Sequence, residues 1–189
     1  MTMTMIMTNS KTREERAKQT AEVFTPNKLV CEMLAKLPKS VWKKGKTFCD
    51  PAVGNGQFLI WILLRKIQRG HKPLEALQCL YGADIMQDNI RECRLRLLKI
   101  ISLFENVEEL HIETVFQNIV WINQKTHPAG SLEYDFSFKR KAKRENVERW
   151  MEYIHENGVL DDVSLPVPPE TFNKTGMVDI FAALDTDSQ

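Results

Sequence analysis

A short glycine-containing loop, FCDPAVGNGQFL at residues 48–59, constrains this chain more than any other segment. It places Asp50 and Pro51 at the end of an apolar run, and Gly54 and Gly56 just before an apolar helical pattern. A glycine turn between a strand and a helix lets a ligand approach the backbone and directs helix N–H groups toward it. The segment therefore predicts a binding loop for a nucleotide-type cofactor.

The segments around this loop alternate between short apolar runs and helical patterns. Strands are predicted at KTFCD, LQCLYGAD and NIVWIN, and helices at FTPNKLVCEMLAKLP, GQFLIWILLRKIQRG and QDNIRECRLRLLKIISLF. A β-α-β-α-β order with apolar strands predicts a parallel sheet covered by helices.

The first predicted helix has recognisable start and stop signals. Thr25 is expected to be its N-cap, Pro26 is expected at the first helical position, and Pro38 ends it. Its predicted apolar face consists of Leu29, Val30, Met33, Leu34 and Leu37.

Composition limits the classes of fold and function that this chain can belong to. With 189 residues, 43% of them hydrophobic and 27% charged, we expect about one domain with a proper core. The net charge of +1 gives no global attraction to nucleic acid or membrane, so a nucleic-acid contact requires a local patch. The four cysteines form no C-x-x-C pair and the four histidines lack metal-ligand spacing. We therefore expect no metal site, no membrane span and a cytoplasmic protein.

The chain divides into four predicted regions. Residues 1–20 are expected to be a disordered leader or short helix, and residues 21–138 the cofactor-binding domain. Within that domain, SLEYDFSF alternates with period two and predicts a half-buried strand or extended arm. Residues 139–158 are expected to form a basic helix, and residues 159–189 an acidic, partly disordered segment.

The basic helix carries two surfaces of different character. Its apolar stripe is predicted to contain Val147, Trp150, Met151 and Ile154. Its start is a candidate nucleic-acid patch that consists of Lys139, Arg140, Lys141, Lys143 and Arg144. A charge run is more often a solvated helix face than a binding surface.

The glycine loop departs from dinucleotide and triphosphate sites. Leu59 stands where G-x-G-x-x-G requires a glycine, and no G-K-[ST] follows. S-adenosylmethionine has no pyrophosphate and needs polar anchors instead, because it carries a carboxylate, an ammonium group and a ribose diol. An acid after strand one, Asp50, can bind the ammonium, and an acid after strand two, Asp84, can bind the ribose hydroxyls. A plain turn and a helix N-cap at Asp84 are the structural alternatives.

Taken together, FTP before an apolar helix, DPAVGNGQFL, and GADI before a second helix resemble the amino-terminal half of adenine-N6 DNA methyltransferases. The resemblance covers residues 20–138 and is greatest to modification subunits of restriction systems and their phage relatives. It implies S-adenosyl-L-methionine as cofactor and DNA as partner. The implied fold is a Rossmann-like class I methyltransferase, a three-layer α/β/α sandwich, here with an abbreviated sheet.

The resemblance also implies a set of cofactor-binding residues. In the family, the T-P element closes over the methionine end of the cofactor, the glycine loop wraps it, and the residue after the second acid lies beside the adenine. Carried over by motif, the set is Phe24, Thr25, Pro26, Asp50, Ala52, Gly54, Gly56, Asp84 and Ile85. Asn123, at the end of the third predicted strand, is a candidate for the adenine amino edge.

The chain departs from the family at the catalytic motif, [N/D/S]-P-P-[Y/F/W] after strand four. That motif polarises the adenine amine and stacks the flipped base. The one Pro-Pro here is flanked by Val167 and Glu170 and follows no predicted strand. The catalytic residues are therefore unknown from the sequence.

Three functions stay open at this stage. The first is a DNA methyltransferase whose catalytic residues either do not align with the family motif or come from a partner. The second is a catalytically inactive cofactor-binding protein that acts as a regulator or partner subunit of a DNA-modification or anti-restriction system. The third is a nucleic-acid-binding scaffold without a cofactor. The outer edge of strand one would be covered by the basic helix, by a second copy, or by a separate catalytic or specificity chain.

Overall fold

The computed structural model describes residues 25–122 and 143–157. The elements are α1 Asn27–Ala35, a 3₁₀ turn Lys39–Trp42, β1 Phe48–Asp50, α2 Gln57–Gln68, α3 Pro73–Leu77, β2 Leu80–Asp84, α4 Gln87–Ser102, α5 Glu109–Asn118, β3 Ile119–Trp121 and α6 Arg144–Asn157. The predicted alternation of strands and helices is confirmed. Two helices that were not predicted, α3 and α5, precede β2 and β3. The predicted leader, the SLEYDFSF strand and the acidic segment lie outside the described residues.

The three strands form one parallel sheet in the order β1-β2-β3. Cys49 is in register with Tyr81, and Asp84 with Trp121. The carboxyl ends of β1, β2 and β3 therefore meet at one side of the sheet, which we call the carboxyl edge. Within the described ranges, no strand pairs with the outer side of β1.

Helices α2 and α4 pack against each other and against the strands. Both are buried over most of their apolar residues, and Trp61 in α2 is only 1% exposed. Gly82 in β2 permits a close approach, since a Cβ there would lie 2.9 Å from Val53 Cγ2. The missing side chain lets the glycine loop pack directly onto β2.

The helices cover one face of the sheet. Leu80 and Gly82 on the covered face are buried, whereas on the opposite face Cys49 is exposed, Tyr81 and Val120 are half-buried, and the small Ala83 is buried. The mixed α/β class with a parallel sheet is confirmed and is consistent with a methyltransferase fold. The described residues form only two of the three layers that the resemblance implied.

Helix α1 begins one residue later than predicted. Pro26, not Thr25, is the N-cap residue, and its ψ of 143° is extended rather than helical. No side chain caps this helix, so the Thr25 hydroxyl does not have the role expected from the sequence.

The buried face of α1 is also narrower than predicted. Val30, Cys31 and Leu34 are buried. Three residues predicted on the same face are exposed at 46%, 46% and 37%, namely Leu29, Met33 and Leu37. Leu37 lies beyond the end of the helix at Ala35, and α1 itself packs chiefly against one neighbour, α2, which covers a single stripe of it.

Helix α6 packs against α5. Val147 and Ile154 are buried, and the Trp150 ring meets the Phe116 ring edge-on with 4.9 Å between centroids. The predicted apolar stripe is therefore confirmed. Because α5 contacts β2 and β3, α6 lies on the β3 side of the sheet, and residues 144–157 do not supply the cover for β1 that the sequence suggested. No helix in the described ranges is long and apolar enough to cross a membrane.

Candidate functional site

The glycine loop folds back onto the end of β2. The Val53 N–H donates to the Ala83 carbonyl at 2.9 Å, and the Gly56 N–H donates to the Val53 carbonyl at 2.9 Å. Gly54 and Gly56 have φ values of +52° and +90°, in the left-handed region that favours glycine. The sequence pattern thus produces a tight turn directly beside the carboxyl edge.

The Asp84 carboxylate joins this loop to the next helix. Its Oδ2 accepts a hydrogen bond from the Gly54 N–H at 2.9 Å, and its Oδ1 accepts one from the Met86 N–H at 2.7 Å. Met86, not Asp84, is the N-cap residue of α4. A carboxylate has about four lone-pair positions, so two accept no hydrogen bond from the residues that the structure describes.

Asp50 ends β1 at the same edge. Its Oδ1 accepts a hydrogen bond from the Ala52 N–H at 3.1 Å. Burial raises the pKa of the Asp50 carboxyl, the Ala52 hydrogen bond opposes that rise, and the nearby charge of Asp84 adds to it. A cationic group bound here would offset both the burial and the repulsion, so the paired acids suit a ligand with a positive charge.

Two exposed apolar side chains accompany Asp84. Ile85 is 67% exposed and Trp121 is 41% exposed. The Trp121 indole N–H donates to the Ile85 carbonyl at 3.0 Å. Trp121 was not among the predicted cofactor residues, although its place at the end of the third predicted strand was a signal for the carboxyl edge.

A buried polar network links the start of α1 to the glycine loop. The Arg96 guanidinium donates to the Asn55 carbonyl at 2.9 Å and to Gln57 Oε1 at 2.7 Å. The Gln57 amide donates to Asn27 Oδ1, which also accepts from the Trp61 indole at 3.3 Å. None of these contacts was predicted, and the only signal was a charged residue between two buried leucines of α4.

The structure brings most of the predicted cofactor residues together. Those at the carboxyl edge are Asp50, Ala52, Gly54, Asp84 and Ile85. Thr25 and Pro26 immediately precede Asn27, whose side chain is held beside the loop. Phe24 and Asn123 lie outside the described residues.

Gly56 has a packing reason of its own. A Cβ at this position would lie 2.6 Å from Cys93 Sγ of α4. The absence of a side chain therefore brings α2 and α4 close together, in addition to shaping the loop.

The predicted nucleic-acid patch is only partly described. Arg144 Nε donates to Glu148 Oε1 at 2.7 Å, and Arg144 Nη1 forms an ion pair with Glu109. Two acids therefore compete with any phosphate for this guanidinium. Lys143 is exposed, and Lys139, Arg140 and Lys141 lie outside the described residues. In the part of the chain that the structure describes, no group of three His, Cys, Asp or Glu side chains is arranged to hold a metal ion.

Comparison with known proteins gives a match over most of the chain. The model of the N-6 DNA methylase family matches residues 6–161. A type II methyltransferase, M.VspI of Vibrio sp. (strain 343), is 33% identical over 87 residues. That match covers 46% of this chain and 19% of the relative's length. No solved structure matches the chain significantly.

Proposed function

The chain belongs to the adenine-N6 DNA methyltransferase family, and from that premise we propose that it is the S-adenosylmethionine-binding part of a DNA methyltransferase. The observation that carries the proposal is the Asp84 carboxylate, which is bonded to both the glycine loop and the start of α4. It ends β2 at the edge where Asp50 ends β1. This arrangement supports a ligand that has both hydroxyl donors and a positive charge.

The side chains at the carboxyl edge fit the parts of S-adenosylmethionine. Asp50 is an acceptor for the ammonium group, and the two free lone-pair positions of Asp84 suit the ribose hydroxyls. Ile85 and Trp121 offer exposed apolar surface to the adenine ring. When bound, the cofactor supplies an electrophilic methyl group, and the residues named here bind and orient it.

We further propose that the described sheet is one half of a Rossmann-like class I fold. In a doubly wound sheet of order 3-2-1-4-5, strand four pairs with the outer side of strand one. Here that side of β1 pairs with no described strand, and the opposite sheet face carries the exposed Cys49. A partner that supplies strand four and its Pro-Pro-aromatic motif would complete both the sheet and the catalytic site.

A second candidate is an inactive cofactor-binding subunit that regulates or assembles with a DNA-modification system. The observation that favours it is the sequence around Pro168 and Pro169, which lacks the amide before and the aromatic ring after the pair. Both candidates require cofactor binding and differ in methyl transfer.

Isothermal titration with S-adenosylmethionine tests the shared requirement. Asp84→Ala should weaken binding by about 1–3 kcal/mol, because the hydroxyl donors lose a charged acceptor. Asp88→Ala is the matched control, since it removes an exposed carboxylate from the first turn of α4. Absence of heat and of a thermal shift with the unaltered chain at millimolar cofactor would refute both candidates.

Transfer of a labelled methyl group to unmethylated DNA separates them. We expect no transfer by the chain alone, and transfer after addition of a chain that carries strand four and the catalytic motif. Transfer by the chain alone would show that the motif is dispensable. No transfer in either mixture would favour the inactive subunit.

A further inference from the structure

A basic pocket lies at the amino edge of the sheet, opposite the candidate cofactor site. Its volume is about 460 Å³, and its lining includes Lys39, Lys43, Lys44, Arg69 and Lys72. These residues belong to the segments that precede β1 and follow α2, and those segments lead into the amino ends of β1 and β2. The pocket is therefore distinct from the carboxyl edge, where Asp50 and Asp84 lie.

The charge of this pocket is far from the average of the chain. Five lysine and arginine side chains line it against a single acid, Glu75, whereas the net charge of the whole chain is +1. Glu75 is already paired with Lys44 at 2.9 Å. Within the described ranges, none of the other four cations forms an ion pair with an acid, so the pocket has a concentrated positive charge that is not neutralised.

The Trp42 ring forms part of the pocket wall. Its side chain is 2% exposed, and its indole N–H has no acceptor among the described residues. The Arg69 guanidinium lies over the ring with 5.6 Å to the centroid, and His71 Nε2 is 2.9 Å from the Trp42 carbonyl. The Nε1 atom is itself buried, so Trp42 supports the Arg69 guanidinium beside the pocket and is not a ligand for a bound anion.

We propose that this pocket binds backbone phosphates of DNA. Lysine and arginine are the usual protein partners of phosphate, and duplex DNA presents one charge per about 1.7 Å of its axis, which suits a cluster of several cations. The choice of DNA over an acidic protein rests on the proposed function, whereas phosphate binding itself requires no methyl transfer. Contacts of this kind add affinity and orientation without reading sequence.

The test is fluorescence anisotropy with a labelled duplex of arbitrary sequence at several salt concentrations. The Lys43→Glu/Lys72→Glu variant should bind about 10-fold more weakly or worse, and its log–log salt slope should be less steep by about 2. Lys36→Glu/Arg149→Glu is the matched control, because it changes the charge equally at exposed positions outside the pocket. Equal DNA affinity and slope in the two variants would overturn the proposal.

Two further probes identify the source of the phosphate. Inorganic phosphate that binds the pocket while the variant leaves DNA affinity unchanged would assign the site to a free anion and reject DNA. Polyglutamate that binds more tightly than DNA and loses affinity in the pocket variant would assign it to an acidic protein. Weaker DNA binding with neither of these results supports the proposal.

Titration of the unaltered chain and the pocket variant with S-adenosylmethionine separates the two proposals. If neither binds the cofactor while DNA binding still depends on the pocket, the proposed function is rejected and the pocket proposal is retained.

Discussion

At the scale of single residues, position 56 requires glycine for two separable reasons. Its φ of +90° disfavours any side chain, and a Cβ would also lie 2.6 Å from Cys93 Sγ. Gly70 has a similar φ of +85°, but a Cβ at that position would have no atom within 4 Å. The pair of glycines therefore distinguishes backbone strain from a packing clash.

We predict that Gly56→Ala lowers the free energy of unfolding by about 2–4 kcal/mol, and Gly70→Ala by about 1–2 kcal/mol. Chemical denaturation measures both values. In the double variant with Cys93→Ala, part of the Gly56→Ala cost should be recovered because the sulfur atom is gone. Equal costs at positions 56 and 70 would show that contact with α4 is not limiting.

At the scale of elements, the helices with sustained apolar periodicity or clear start and stop signals were predictable, and α3 and α5 were not. α2 and α4 carry sustained apolar periodicity, whereas α3 has only five residues. α5 begins with His111 Nδ1 accepting from the Glu108 N–H at 3.0 Å, where a capping box normally has Glu or Gln. A start signal of this kind is absent from the usual sequence patterns, so the helix was missed.

Arg96 connects three elements, α4, the glycine loop and, through Gln57, the start of α1. We predict that Arg96→Met lowers the free energy of unfolding by about 2–4 kcal/mol, because the buried Asn55 carbonyl and the half-buried Gln57 side chain lose their donor. It should also weaken S-adenosylmethionine binding at a temperature where the variant is folded, since the Thr25–Pro26 segment is no longer held beside the loop.

Arg94→Met is the control for this prediction. Arg94 lies on the same helix and donates to the Ile119 carbonyl at 2.6 Å, away from the loop. Its loss should reduce stability and leave cofactor affinity unchanged. An equal effect of both variants on affinity, measured by titration, would reduce Arg96 to a purely structural residue.

At the scale of the whole molecule, the sheet is open on one side and on one face within the described ranges. Cys49 lies on β1, at that open side, and is exposed, whereas Cys31 and Cys93 are buried. Burial raises the pKa of both buried thiols to about 12. Partial burial and the charge of Asp50 also raise the pKa of the Cys49 thiol. The thiolate fraction of Cys49 therefore grows as the pH rises toward this raised pKa.

We predict that a maleimide labels Cys49 faster than Cys31 or Cys93, and that its rate increases with pH. Cys49→Ser should remove the fast-reacting site in mass spectra of the labelled protein. Addition of a partner that pairs with β1 should protect Cys49. Equal labelling with and without the partner that restores methyl transfer would show that this partner binds elsewhere.

The sequence by itself determined the features that depend on neighbouring residues. The two glycines fixed a turn, the apolar periods fixed α2 and α4, and the order of strands fixed where Asp50 and Asp84 emerge. Each of these follows from backbone geometry or from side-chain periodicity within about 20 residues.

The tertiary structure decided what depends on distant partners. Arg96 bonds a carbonyl 41 positions away in the sequence, Trp121 is placed by its register with Asp84, and α1 buries only the stripe that α2 covers. The basic pocket likewise arises because two separate lysine-containing segments meet at the amino edge. Such contacts require the packed sheet and helices, since no local pattern specifies which distant residues become neighbours.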